Sequence, residues 1–253
     1  FIVSAVQAAF PQARFYGMDG QFHDHAVSQL AAANWLASAA YLKAEYPDAV
    51  LLDIGSTTAD IIPLSRFDSL PGLTDLRRLQ KGYLLYTGIL RGNVATLLSS
   101  VLLDGVKTPV SSEFFASSAD VHLVLDHISA DKYTCETPDK KEKTKSASLR
   151  RLARVVCADP DEIGEAGVME IARQFWEKQQ NLICDQVRRV VTESGARQII
   201  VAGIGAPLFA RELKGTDLNE IFRDVADALP AYAVRELALS DPGTAPVVKK
   251  KVT

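Results

Sequence analysis

Two carboxylates, Asp53 and Asp60, bracket the polar string Gly55-Ser56-Thr57-Thr58, and apolar residues flank both ends, Val50-Leu-Leu before and Ile61-Ile-Pro-Leu64 after. This is the composition of a strand–turn–strand cradle for phosphate oxygens. Gly55 lets the backbone turn tightly and approach an anion. The amides of the turn and the hydroxyls of Ser56, Thr57 and Thr58 can donate to phosphate. Either Asp53 or Asp60 could hold a hard cation such as Mg²⁺ through oxygen ligands. No Gly-Lys-Ser/Thr follows, so this is not a Walker loop. No G-x-G-x-x-G opens a helix here, so it is not a dinucleotide fingerprint. The plainer reading is a hairpin whose Ser and Thr residues solvate a turn; the paired carboxylates and the run of hydroxyls favour the phosphate site.

A second glycine turn lies far downstream. Gln198-Ile-Ile-Val-Ala202 reads as a buried strand, and Gly203-Ile-Gly205 follows it into a helix. Gly203 and Gly205 would let a nucleotide or another substrate approach the backbone, although glycine at such a junction is also ordinary punctuation. Lys81 and Arg91 are candidates to hold phosphate oxygens, Arg91 by a bidentate fork; a surface ion pair explains each equally well. Asn34 and Trp35 could line the same cleft or simply pack. His23, His25, His122 and His127 are read as capping, core or surface groups, and none is assigned a catalytic role.

These groups need elements to position them. Phe1 to Phe10 reads as an apolar-faced helix, and Arg14 to Gly20 as a short strand and turn. His25 to Tyr46 reads as a helix rich in small residues (Ala31, Ala32, Ala33, Ala37, Ala39, Ala40), ended by Pro47, before the Val50 strand. Strand, helix and strand in succession predict an α/β layer. Ser65 to Leu79 reads as a polar connector, Lys81 to Gly88 as a short strand and turn, Val94 to Leu103 as a strand beneath the site, and Val121 to Ile128 as helix. Asp131 to Ser148 carries the run Lys140-Lys-Glu-Lys-Thr-Lys145 and predicts a mobile charged loop, either a lid or merely solvated. Helices are predicted from Leu149 to Val156, over Ala166 to Glu193 and over Leu218 to Leu239. The tail Val247 to Thr253 is expected to be a fraying end or an edge strand.

The chain has 253 residues and a formal net charge of -3, with no broad basic excess to bind nucleic acid. Three scattered cysteines without a C-x-x-C pair argue against a disulfide scaffold or a zinc site and fit the reducing cytoplasm. No apolar run is long enough for a membrane span. The first residue, Phe1, falls inside a helical pattern, so further sequence is expected upstream.

A D-x-G-S-T-T-x-D hairpin, a long helical stretch and a G-x-G turn into a helix resemble the actin/sugar-kinase/heat-shock-protein ATPase superfamily. Within it the chain is similar to the hydantoinase A/oxoprolinase-like branch, and more narrowly to tetrahydromethanopterin-linked C1-transfer pathway proteins. The narrower likeness rests on Tyr16-Gly-Met-Asp-Gly20, Ala31-Ala-Ala-Asn-Trp35, Tyr86-Thr-Gly88 with Leu90-Arg91, Pro109-Val-Ser-Ser-Glu113, Tyr133-Thr-Cys-Glu-Thr-Pro-Asp139 and Val201-Ala-Gly-Ile-Gly205. The superfamily's first phosphate loop is absent. Tyr83 stands where an acidic residue is expected, and Gly92 where a polar one is.

The resemblance implies an α/β fold of actin-like ATPase (ribonuclease H-like) lobes, a mixed sheet flanked by helices, with the N-terminal part of the first lobe missing. Residues 1–47 would be the remainder of that lobe. Residues 48–253 would form the second, with the phosphate hairpin, the charged loop at 131–148 and the glycine turn at 203–205. It further implies a transferase of methanofuran cofactor biosynthesis, in which a phenol of tyramine or tyrosine type attacks an aminomethylfuran diphosphate and diphosphate leaves. Gly55, Ser56, Thr57, Thr58, Lys81 and Arg91 would hold phosphate. Asp53 or Asp60 would orient Mg²⁺ or accept the phenol proton. The partners would be small molecules, with neither nucleic acid nor membrane, and an oligomer is compatible. An ATP-dependent small-molecule kinase or ATPase is the alternative, with ATP on the Gly203–Gly205 turn. A non-catalytic binding subunit is a third.

Overall fold

A computed structural model describes residues 1–30 and 33–241. At its centre is a five-stranded mixed sheet. β3 (Ala49–Ile54) and β4 (Ala59–Pro63) form an antiparallel hairpin, and β5 (Leu84–Leu85) adds antiparallel to β4. On the other side β8 (Gln198–Ala202) pairs parallel with β3, and β9 (Thr216–Asp217) parallel with β8. The near-continuous apolar run of β3 is explained by helices on both faces.

Alternation along the strands sorts the core into two layers. Val50, Leu52, Ile54, Ala59 and Ile61 face the long helix α6 (Pro160–Ser194) and α7 (Ala206–Leu213), packing with Ile183, Val187, Val190 and Phe209. Ala49, Leu51 and Ile62 face α2 (Asn34–Leu42), packing with Trp35, Leu36, Ala39 and Leu42, and with Leu229 of α9 (Leu229–Ser240). α2 thus shares its core with β3 and β4. A third cluster joins α4 (Ser118–Val124), α5 (Lys145–Arg154) and the first half of α6.

Elements expected from pattern recur with shifted ends. α1 (Ile2–Ala9), the short β1 (Phe15–Tyr16), β3 and β8 lie where pattern places them, and β1 pairs with an unexpected short strand, β2 (Phe22–His23). The helix expected from His25 begins only at Asn34, after a short 3-10 turn at Ser28–Leu30. Ala31 and Ala32 fall outside the described residues, as does the tail from Val247. The supposed connector from Ser65 to Leu79 is instead a 3-10 segment (Leu64–Ser69) and α3 (Asp75–Lys81). Thr74 caps α3 by accepting the Arg77 amide, a local signal that the polar composition concealed. Val94 to Leu103 is not a strand under the site. Its second half, β6 (Ser100–Leu103), pairs only with β7 (Val106–Pro109) in a separate hairpin. The expected helix from Leu218 to Leu239 is broken into α8 (Leu218–Phe222), a 3-10 stretch and α9, where Pro230 opens the last piece.

The charged segment at 131–148 is anchored rather than free along its length. Tyr133, Cys135 and Thr137 are buried, and α5 already begins at Lys145. Asp120 organises the anchor. Its carboxylate accepts from the Ser117 amide at 2.9 Å, Ser148 Oγ at 2.8 Å, Tyr133 Oη at 3.2 Å and Arg151 Nε at 2.8 Å. Arg151, almost wholly buried, also reaches Asp139 at 3.1 Å. A buried ion pair needs such saturation, since each unpaired charge would carry a large desolvation cost.

Candidate active site

The turn between β3 and β4 opens into a cavity of about 440 Å³ lined by Asp53, Gly55, Ser56, Thr57, Thr58 and Asp60. Gly203 and Ile204 close one side, and Leu229 and Pro230 of α9 another. Leu90, Asn34, Lys132 and Thr134 complete the wall. The structure thus brings together the hairpin and the downstream glycine turn, the two motifs separated by most of the chain.

Topology explains this convergence. β3 and β8 are parallel neighbours in register, Asp53 beside Ala202, so the turns that follow them emerge side by side. They touch closely. Gly203 has φ +85°, and a methyl group there would strike the Ile54 carbonyl and lie 2.7 Å from Asp53 Oδ1. Only glycine fits such a position. Asn219 secures the turn by donating to the Gly203 carbonyl at 2.9 Å.

The Gly55–Thr58 turn is braced by residues 88–91. The amides of Ile89, Leu90 and Arg91 donate to the carbonyls of Gly55 and Ser56 at 2.9–3.0 Å. Gly88 lies directly against the turn, where an added methyl would approach Ser56 C and Thr57 N to 2.6 Å. With these carbonyls engaged, the hydroxyls of Ser56, Thr57 and Thr58 remain part of the cavity wall.

Asp53 and Asp60 are direct partners across the hairpin, and both project from the α2 face. Their surroundings differ. Asp60 is ion-paired with Arg78 of α3, which also holds Asp75 at 2.9 Å and lies over the Trp35 ring at 4.3 Å. Burial pushes the Asp60 carboxyl up, and the Arg78 guanidinium opposes that push. Burial, with the Asp60 charge second, pushes Asp53 up to about 7. A carboxylate poised there can take or give a proton near neutrality.

The cations fall differently from the expectation. Lys81, the last residue of α3, is exposed, lies near the Tyr83 ring and does not line the cavity. Arg91 contributes its backbone amide to the brace, while its side chain is not part of the wall. The lysine of the wall is Lys132, from the start of the charged segment; the later run from Lys140 to Lys145 is not part of it. Arg78 was also missed, because Ser65 to Leu79 reads as a polar connector rather than a helix. The only signal for Lys132 was its place beside Tyr133-Thr-Cys, where an apolar anchor interrupts the charge.

Among the described residues no group of three or more His, Cys, Asp or Glu gathers as a metal site. The residues present fit Mg²⁺ in the mode where substrate phosphates and water supply most ligands and one or two carboxylates complete them. Asp53 and Asp60 are the carboxylates of the wall that could contribute, and Asp60 is already paired with Arg78. No helix among the described residues is long and apolar enough to cross a membrane, and Cys135, Cys157 and Cys184 are free thiols.

A mixed sheet flanked by helices, with the β3–β4 turn and the Gly203–Gly205 turn meeting at the ends of neighbouring central strands, is the arrangement of an actin-like ATPase lobe. The hydantoinase/oxoprolinase family model matches residues 14–235, and the chain belongs to that family. Two relatives carry the name (4-{4-[2-(gamma-L-glutamylamino)ethyl]phenoxymethyl}furan-2-yl)methanamine synthase. The protein of Methanocaldococcus jannaschii is 34% identical over 213 residues, 82% of this chain and 64% of its own length. That of Methanococcus vannielii is 35% identical over 195 residues, 73% of this chain and 88% of its own. The match thus spans less than two thirds of the M. jannaschii protein.

Proposed function

We propose that this chain forms the active site of a methanofuran-biosynthesis transferase that joins an aminomethylfuran diphosphate to a tyramine-type phenol. The observation that carries the reading is a single cavity holding both the Gly55–Thr58 turn and the Asp53 carboxylate. The relatives' name describes an aryl ether on a furylmethyl carbon, the product such a site would make. In the reaction the phenol oxygen bonds to the furylmethyl carbon, and the carbon–oxygen bond to diphosphate breaks. The phenol proton passes to a base, and diphosphate leaves with the electron pair.

Each group has a task in this scheme. The hydroxyls of Ser56, Thr57 and Thr58 and the amides of their turn hold the diphosphate where charge develops, the position in which fixed donors act most strongly. Lys132 adds a cation to the cavity wall, and Thr134 a further hydroxyl. Asp53 takes the phenol proton; its raised pKa narrows the gap to a phenol near 10. Burial first, and the neighbouring Asp60 second, hold the Asp53 pKa up, and Arg78 anchors Asp60 in place. When bound, Mg²⁺ would neutralise charge on the leaving diphosphate.

The test is release of pyrophosphate by the full-length protein from an aminomethylfuran diphosphate with tyramine or its γ-glutamyl derivative. Wild type should release it and Asp53→Asn should not; no release from wild type would sink the reading. A second reading, an ATP-dependent kinase or ATPase, draws on Gly203 and Ile204 lining the same cavity. ATP hydrolysis or phosphoryl transfer lost in Asp53→Ala would favour it. Failure of ATP to bind at millimolar concentration would count against it.

A further inference from the structure

Behind the brace of the phosphate turn lies a buried polar chain that the proposed chemistry does not use. Gln179, in the middle of α6, is fully buried. Its Nε2 donates to Thr87 Oγ1 at 2.9 Å and to the Gly88 carbonyl at 3.0 Å. His122 of α4, also fully buried, meets Gln179 Oε1 through Nε2 at 2.9 Å, and its Nδ1 meets His127 Nδ1 at 3.0 Å. Trp176 presses edge-on against both imidazoles, with ring centroids 5.5 Å from His122 and 4.8 Å from His127.

The hydrogen bonds in this chain run one way. The Gly88 carbonyl can only accept, so the Gln179 amide nitrogen must face it and Oε1 must face His122. Oε1 can only accept, so His122 carries its proton on Nε2. Its Nδ1 is then an acceptor, and His127 donates from Nδ1. Burial, and next the neighbouring His127, holds His122 far below the ordinary imidazole range, so it stays neutral in this role. The chain ends on Gly88, whose backbone touches Ser56 and Thr57 without room for a methyl group.

We propose that Gln179, oriented by His122, is a positioning residue for the phosphate turn. It holds Thr87 and Gly88 where their neighbours Ile89, Leu90 and Arg91 register the Gly55 and Ser56 carbonyls, and so sets the donors that face the cavity. This inference rests on the phosphate-site reading above, but not on the identity of the furan or phenol.

The probe is inorganic pyrophosphate with Mg²⁺, titrated into the full-length protein and read by calorimetry. Hydrogen exchange of the amides at 55–58 and 89–91 is followed in parallel. Gln179→Met keeps the length but removes both donors, and should weaken pyrophosphate by about tenfold while speeding exchange at those amides. His122→Leu should do the same more mildly. His122→Gln, which returns a nitrogen donor close to the position of Nε2, should restore binding to within about twofold of wild type. This His122 pair reads the same link if Gln179→Met does not fold. The inference falls if Gln179→Met and His122→Leu bind like wild type, or if His122→Gln fails to rescue while folding normally. If wild type binds no pyrophosphate, the phosphate-site reading falls and this inference with it; normal wild-type binding with indifferent variants removes the inference alone.

Discussion

Asp53 and Asp60 face each other across one register pair of the β3–β4 hairpin, yet only Asp60 has a guanidinium partner among the described residues. Two identical side chains on one sheet face are thereby divided. Asp60 is anchored by Arg78, which opposes the upward push of burial on its carboxyl, whereas burial pushes Asp53 up to about 7. Pairs of carboxyls driven apart by their environments are a recurrent way to assign acid–base roles.

The turnover rate should rise with pH along a limb whose midpoint lies near 7, because Asp53 must lose its proton before it can accept one from the phenol. A pH–kcat profile checks this. A limb centred near the ordinary carboxylate range would remove Asp53 as the base.

Stability should move the opposite way. The folded protein keeps the Asp53 proton at pH values where the unfolded chain, with its ordinary carboxylate pKa of 3.8, has lost it. The folded state therefore binds more protons between about pH 4 and 7, and its stability falls as pH rises through that window. Asp53→Asn removes the fall. It should raise the thermal midpoint at pH 8 by roughly 3–8 °C and leave it near wild type at pH 4, the usual exchange of activity for stability at a strained site. Thermal melts of both proteins at the two pH values decide the point.

Arg78→Met should destabilise the protein by about 3–5 kcal/mol at neutral pH, because it strands the largely buried Asp60 carboxylate. The double variant with Asp60→Asn should recover much of that loss. Urea denaturation of the four proteins in the cycle measures the coupling, and additive losses would contradict a working ion pair.

Lys132→Gln should weaken pyrophosphate by about tenfold, whereas Lys81→Gln should change it less than about twofold. Equal effects of the two substitutions on a binding isotherm would mean that the cavity wall does not select the cation.

Gly203→Ala should abolish pyrophosphate binding and cost about 2–3 kcal/mol. A methyl at this left-handed position meets the Ile54 carbonyl, and backbone cannot yield as a side chain tip can. Circular dichroism melts alongside calorimetry would register both losses.

How much of this was legible before the structure follows the range of each interaction. β3, β8 and the two glycine turns were readable because apolar runs bounded by Gly and Asp are local patterns. The α/β layering followed from their order, and the mixed sheet from the family resemblance. Helix ends were less legible: α2 starts at Asn34, and nothing in the small-residue run from His25 marked that point. Arg78 and Gln179 were invisible, since a polar residue on a helix discloses neither its burial nor its partner. Lys132 was hidden among other cations, and only the three-dimensional anchoring of Tyr133 by Asp120 separates it from the solvated run beyond.

The parallel pairing of β3 with β8 has a consequence for how the protein is made. During synthesis the hairpin of β3 and β4 leaves the ribosome long before β8 exists. Until β8 arrives, the apolar β3 has an open hydrogen-bonding edge, a surface on which nascent chains can join one another. The Gly55–Thr58 turn meanwhile lacks the Gly203 backbone that helps line its cavity. A prematurely terminated product ending before Gln198 would thus have an incomplete cavity and be prone to self-association, and maturation waits on a strand about 150 residues downstream of the hairpin.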